Sequence, residues 1–231
     1  FLRGVAVSGS GGLAAMGEIG GALFRPDLSP GVLLSALRES WRTVAYAVAG
    51  LSLAVVLGLP LGVVASGLLA RSRVGQWASA GVVRGVLAFF RAIHELVWAW
   101  LFVAAIGLSP WAAVLAIALP FGGILGRILA EMLADVPEAP LRALRSSGAS
   151  ERQVLFYGRL PVALADMVSY ALYRYECGIR SAAVMSFIGL GGLGYQIQLS
   201  LDDLQFRQVW TFVYILIVLV AVIDAWSGAV R

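Results

Sequence analysis

Asp166, Tyr170, Tyr173, Arg174, Glu176, Cys177, Arg180 and Ser181 crowd into a stretch, about Leu160 to Ile188, that is otherwise apolar enough to cross a membrane. An ionisable group at the centre of a membrane helix costs roughly 2.5–3.5 kcal/mol on insertion scales, so such groups face the protein interior or water. On a helical wheel Asp166, Tyr170, Tyr173, Cys177, Arg180 and Ser181 lie within about 60° of one direction, and Arg174 and Glu176 flank that stripe. The stripe has two chemical readings. Two guanidiniums offer bidentate forks to a small oxyanion moving along the helix. Alternatively Glu176–Arg180, at i,i+4, and Arg174 with Asp166 or its neighbours are internal ion pairs that hold a bundle together.

Arg127 and Glu131 form a second i,i+4 couple, beside a row of small residues, Gly122, Gly126 and Ala130. Small-xxx-small rows let helices approach closely, which favours packing with a paired charge over a substrate site. Arg91 and Glu95 repeat the spacing, and Asp224 is expected to reach the interface or an Arg. His94 and Cys177 are the sole residues of their types, which excludes an internal disulfide, a multi-Cys metal site and His-cluster chemistry. Gly189, Gly191 and Gly194 satisfy G-x-G-x-x-G, but no strand precedes them and no βαβ context surrounds them. A tight turn is expected there instead.

These groups need membrane-spanning elements to position them. Of the 231 residues, 60% are hydrophobic and 13% charged, against about 25% charged in soluble domains. Nearly uncharged runs of spanning length recur, so the chain reads as all-α and polytopic. Five spans are predicted: Thr43 to Leu69, with a kink at Gly58-Leu59-Pro60; about Gly81 to Gly107, interrupted by Arg91, His94 and Glu95; Trp111 to Ala134; Leu160 to Ile188; and Val209 to Ser227. Residues 1–40 read as a separate N-terminal segment and 41–231 as one transmembrane domain. Phe1 to Phe24, Gly-rich around Glu18, have three readings: a sixth helix, a re-entrant segment or a surface helix. As the chain opens on Phe1 rather than Met, an incomplete N-terminus is expected.

All seventeen basic residues are Arg. Arg71, Arg73 and Arg84 flank the first connection, Arg142, Arg145, Arg152 and Arg159 fill the connection after the third span, and Arg231 follows the fifth. The positive-inside rule places these in the cytoplasm, with Arg25, Arg38 and Arg42 as outside exceptions partly offset by Asp27 and Glu39. The pI near 9.6 therefore reflects basic cytoplasmic loops rather than nucleic-acid binding.

The long connection, 137–161, has its own architecture. Pro137 and Pro140 are expected to stop the third helix and open a short one, Leu141 to Ser147. Gly148 permits a turn, Ser150 with Gln153 reads as a capping box for a second short helix, and Gly158 and Pro161 punctuate its end. Two short helices at an angle make a knob suited to a groove on a soluble partner; an Arg-rich solvated loop is the plainer reading.

Ala143, Gly148, Leu160 and Pro161 stand at the spacing of E-A-A-x3-G-x9-I-x-L-P. The segment resembles the coupling loop of permease subunits of type I binding-protein-dependent ABC importers. Arg142 stands where that family usually has Glu, and Gly158 where it has Ile. The resemblance extends through Phe24-Arg25-Pro26-Asp27, Arg91 to Trp98 (where His94 replaces a usual Pro), Gly126 to Glu131, and Tyr170 to Gly194, the last being similar to the phosphonate and phosphite branch. It implies a five-helix permease core in the bacterial cytoplasmic membrane. It implies ATPase coupling through Arg142, Ala143, Gly148, Ala149, Ser150, Leu160 and Pro161. Arg91, Glu95, Arg127, Glu131, Asp166, Tyr170, Tyr173, Arg174, Glu176 and Arg180 would line the pathway or form internal ion pairs. The implied partners are a second permease copy or paralogue, two cytoplasmic ATPase subunits, a periplasmic substrate-binding protein and membrane lipid, with no nucleic acid. No Walker A sequence occurs, so this chain would bind no cofactor or metal, ATP and Mg sitting on the partner ATPase. The implied cargo is phosphonate, phosphite or a related phosphorus oxyanion. Import of another small solute (phosphate, a sulfonate, an amino acid) and ATP-independent secondary transport are the alternatives.

Overall fold

In a computed structural model of the chain, residues 9–68 and 73–230 are described, with side chains omitted at 9–15, 73–77 and 230. Arg71, Arg231 and the Arg73 side chain, all used for the orientation, lie outside the described residues, as does the start of the N-terminal segment.

Every regular element among the described residues is helical. Helix α1 (Gly9–Leu23) is followed by α2 (Pro30–Ala65), α3 (Arg73–Ala92), α4 (Glu95–Ile106) and α5 (Pro110–Ala134). Two short helices, α6 (Glu138–Ser146) and α7 (Glu151–Gln153), lead through a π-turn (Val154–Arg159) into α8 (Leu160–Met185). Then come α9 (Leu193–Asp202) and α10 (Phe206–Val230). By length and composition four helical runs can cross a membrane: Pro30–Ala65, Pro110–Ala134, the run containing α8, and Phe206–Ala229. Counting the bent pair α3/α4 as one span makes five.

Helix α5 is the centre of the bundle, with fifteen of its residues buried. Glycines set how closely its neighbours approach. A Cβ on Gly62 of α2 would lie 2.7 Å from the Gly126 carbonyl oxygen of α5, and one on Gly58 would lie 3.0 Å from the Gly122 carbonyl oxygen. Across the other face, a Cβ on Gly123 would lie 2.8 Å from the Leu87 carbonyl oxygen of α3. The helices therefore meet backbone to backbone. Where lipid tails are as apolar as leucine, close packing of this kind is what drives helices together. The small-residue row of α5 thus packs against α2.

Four boundaries differ from the sequence-based expectation. Helix α2 begins at Pro30, not near residue 41, so Arg38, Glu39 and Arg42 belong to it and the boundary drawn at 40 falls inside a helix. Pro30 occupies the first helical position, where its missing N–H costs nothing. The second span is not one helix: α3 and α4 meet at 89°. His94 breaks the run, with extended backbone (φ −64°, ψ 145°) and Nδ1 accepting the Leu96 N–H at 3.3 Å. Trp98 fixes the elbow, donating Nε1–H to the Phe90 carbonyl at 3.3 Å and stacking on Phe102. At the connector, α6 starts at Glu138, because Pro140 is tolerated within a first helical turn. Finally, Gly158 and Pro161 do not end a helix. The chain runs helically from Glu151 into α8, the Leu160 N–H reaching back five residues to the Leu155 carbonyl in the π-turn.

Ahead of α2, the described part of the N-terminal segment carries α1. It docks on α10, with Trp210 Nε1–H donating to Ile19 O at 2.9 Å and the Tyr214 hydroxyl to Leu23 O at 2.7 Å.

Candidate functional site

The polar groups of α8 separate into two sets. Glu176 is buried and accepts from Arg180 Nη2 at 2.8 Å, and Arg180 also lies 3.9 Å from Asp224 of α10. This is an ion cluster linking α8 to α10, buried at Glu176 and exposed at Arg180 and Asp224. Arg174 is arranged otherwise. Its guanidinium stacks over the rings of Tyr170 and Tyr173, 4.9 and 5.5 Å from their centroids. Its Nε–H donates to the Tyr170 hydroxyl at 2.9 Å, with Nη2 on the same oxygen. Among the described residues no carboxylate lies within ion-pair distance of Arg174, and the Arg174–Asp166 pair does not form. Asp166, Ser169, Tyr170 and Tyr173 line a cleft of about 500 Å³ that continues to Asp135 and Pro137. The tyrosine faces hold the guanidinium by cation–π attraction and leave its charge uncancelled.

A second cleft, about 590 Å³, opens between α3 and α5, lined by Arg84, Arg91, Arg127, Glu131 and Asp135. Arg127 Nε donates to Glu131 Oε1 at 2.8 Å, and Arg84 Nε to the last carbonyl of α2, Ala65, at 2.9 Å. Arg91 and Glu95 do not pair; the elbow separates them, and Glu95 lies 3.5 Å from His94 Nε2 instead.

The connector folds as a knob. Gly148 has φ +84°, with Ala149 N–H bonded to Leu144 O (3.1 Å) and Gly148 N–H to Arg145 O (3.0 Å). That pair of bonds is the Schellman closure, and the left-handed position at its centre is why glycine stands there. Ser150 and Gln153 form the reciprocal capping box, Ser150 N–H to Gln153 Oε1 at 2.8 Å and Gln153 N–H to Ser150 Oγ at 3.4 Å. Arg142, Ala143, Gly148, Ser150 and Pro161 are exposed, Ala149 and Leu160 half-buried. A groove of about 280 Å³ runs past Leu144, Gly148, Ala149 and Tyr157.

The knob is stiffened by ions: Arg145 bridges Glu138 (2.9 Å) and Glu151 (3.0 Å). The Arg145 hydrogen bond, helped by the Arg159 charge, holds the Glu138 carboxyl below the ordinary glutamate value. A carboxylate whose folded value is depressed contributes stability above its unfolded value, about 4.3, and loses it as pH falls through the lowered one. Amide exchange of α6 is therefore expected to be pH-independent in its protection near neutrality and to lose protection on acidification below about pH 4, an effect that Glu138→Gln removes.

At the opposite end of the bundle the structure shows a site that sequence reasoning missed. Gly189, Gly191 and Gly192 all have positive φ (94°, 80° and 105°), forming the tight turn before α9. The turn is held by α2: Glu39 Oε2 accepts Gly192 N–H at 2.7 Å, Thr43 Oγ1 accepts Leu193 N–H at 3.0 Å, and the Tyr46 hydroxyl donates to Leu190 O at 3.1 Å. Glu39 is buried at the N-terminus of α9, where the helix dipole favours a negative charge. Its signal was a lone acid in a run that proves to be membrane helix. Glu39→Ala leaves the buried Gly192 N–H without its acceptor and is expected to lower unfolding free energy in detergent by about 1–3 kcal/mol. Glu39→Gln, which keeps an acceptor oxygen, should lose less.

A bundle of membrane-length helices around a central α5, carrying a two-helix knob between its third and fourth spans, is the architecture of an importer's membrane subunit. Residues 58–230 match the family described as binding-protein-dependent transport system inner membrane component, and the chain belongs to it. It is 34% identical over 220 residues to the phosphite transport system permease protein PtxC of Stutzerimonas stutzeri, covering 95% of this chain and 78% of that protein. It is 30% identical over 190 residues to the phosphate-import permease protein PhnE of Mycolicibacterium smegmatis, covering 82% of this chain and 35% of that one. Among solved structures, a chain of the inward-facing MetNI methionine ABC transporter superposes with a TM-score of 0.74 at 21% identity, covering 88% of this chain and 97% of that chain. The fold is thus that of ABC importer permeases.

Proposed function

We propose that the chain is the membrane-spanning subunit of an ABC importer for phosphite, phosphonate or a related phosphorus oxyanion. The observation that carries the substrate class is Arg174, a guanidinium half-buried in a membrane helix, backed by two tyrosines and with no carboxylate against it. A planar fork with uncancelled charge suits a tetrahedral oxyanion. The names of the relatives point to the same cargo. Arg180, already matched with Glu176 and Asp224, is assigned to structure rather than to substrate.

The machinery is completed by other chains: a second permease copy or paralogue, two cytoplasmic ATPase subunits carrying ATP and Mg, and a periplasmic binding protein. The knob lies in the cytoplasm with the Arg-rich loops. Its groove, flanked by exposed Phe156 and Tyr157, offers apolar surface to the ATPase. Closure of the ATPase pair on ATP pushes the knob and opens the spans outward to receive cargo; hydrolysis resets them. Inorganic phosphate is the second reading, favoured by the name of the Mycolicibacterium smegmatis relative.

The test is reconstitution with the ATPase and binding protein in liposomes, followed by uptake of labelled phosphite, phosphonate, phosphate and sulfonate. ATP-dependent uptake of phosphite or phosphonate above the others is expected. Uptake without ATP overturns the importer reading, and uptake of only a sulfonate overturns the cargo.

A further inference from the structure

The π-turn ahead of α8 ends at Arg159, a buried cation. Its side chain is 5% exposed, and its guanidinium is turned beneath the end of α5. Nη1 donates to Leu133 O at 2.8 Å and to Ala134 O at 3.3 Å, the carbonyls that the last turn of α5 leaves without partners. Nη2 donates to Glu138 Oε1 at 2.7 Å, and the other oxygen of Glu138 receives Arg145. Arg145 in turn holds Glu151. An unbroken run of charge-assisted bonds therefore joins both short helices of the knob to the C-terminus of α5.

Packing reinforces the link. Gly158 lets α6 sit directly on the π-turn: a Cβ there would come within 2.8 Å of Leu141 Cδ2 and 2.9 Å of Leu144 Cδ1. The residue that departs from the family pattern thus has a physical use, since a side chain there would have to displace the ends of Leu141 and Leu144, which pack α6 on the π-turn. Burying a guanidinium this deeply is not the cheapest way to fill the space, because desolvation opposes it and its Nε is left without a hydrogen-bond partner. What the charge adds over an apolar filler is direction: three hydrogen bonds to acceptors on two elements that must move together. Insertion of a π-turn at a site of this kind fits its use elsewhere as a functional irregularity in helices.

We infer that Arg159 is a positioning residue for transport, the link through which displacement of the knob reaches α5 and, from there, the helices packed around it. The inference rests on the reading of α6 and α7 as the surface that the ATPase moves.

Arg159→Met, similar in length and uncharged, is compared with Arg159→Lys and wild type in the full transporter, permease with ATPase and binding protein, in liposomes. The expected result is an assembled complex in which Arg159→Met still hydrolyses ATP, while cargo taken up per ATP hydrolysed falls tenfold or more. Arg159→Lys, retaining the charge, recovers part of that ratio. An unchanged ratio in Arg159→Met overturns the inference. So does a loss of uptake and hydrolysis in equal proportion, which would make the residue merely structural. A second measurement does not depend on transport. Spin labels on Ser146→Cys in α6 and Trp111→Cys in α5, in a Cys177→Ser background, should give one narrow distance with and without ATP in wild type and a broadened distribution in Arg159→Met. Equal widths in both overturn the link. A wild-type complex that takes up nothing on ATP, with the narrow distance intact, would instead count against the proposed function and leave the link standing.

Discussion

Arg174→Ala is expected to reduce ATP-dependent uptake of phosphite or phosphonate by about ten- to a hundredfold per folded molecule, the loss of one charge-assisted hydrogen bond worth ~1.5–3 kcal/mol. The fold should survive it. Arg174 answers no buried acid, and its stacking partners, Tyr170 and Tyr173, can close over the space. Arg174→Lys keeps the charge but loses the planar fork, so an intermediate rate is expected. Arg180→Ala provides the contrast. It removes the guanidinium bonded to buried Glu176, and its damage should appear as less folded protein rather than slower uptake by what folds. Uptake measured on purified, quantified permease separates the two. If Arg174→Ala transports at the wild-type rate while Arg180→Ala folds normally and fails to transport, the assignment of the two arginines is reversed.

The second large effect falls on folding. Gly62→Val is expected to separate α2 from α5, because the new Cβ would meet the Gly126 carbonyl oxygen at 2.7 Å and backbone cannot yield as a side chain does. Overpacking of this kind costs typically ~1–3 kcal/mol, and here it acts at a backbone-to-backbone contact between α2 and α5. Its readout is the yield and thermal midpoint of the detergent-purified permease. Gly81→Val is the matching control, since nothing lies within 4 Å of a Cβ at that position. Comparable losses in both variants would mean that valine harms the helices themselves, and that the α2–α5 contact is not what matters.

Much of this was legible from composition and spacing. Apolar runs of spanning length announce themselves because an exposed backbone is intolerable in lipid, so each must be helical. The capping box at Ser150 and Gln153 and the turn at Gly148 were readable for a similar reason: each is closed by bonds between residues a few positions apart. The spacing from Ala143 to Pro161 identified the knob, and the comparison with PtxC and its family agrees with the importer class that the spacing implied.

What sequence could not decide was partnership over distance. It offered both Arg174 and Arg180 as oxyanion ligands or as halves of ion pairs. Only the approach of α10, bringing Asp224 to 3.9 Å from Arg180, and the stacking of Tyr170 and Tyr173 on Arg174 distinguish them. Glu39 looked like a charge outside the membrane until its bond to Gly192, 153 residues away, showed it buried against α9. Arg159 looked like one more basic loop residue until the π-turn carried it under α5. By itself the chain determined its helices, its turns and its class, because those depend on neighbours along the backbone and on the demands of the bilayer. Which charges are structural and which stay available was decided by tertiary packing, because a charge is cancelled by whatever lies within a few ångströms in space.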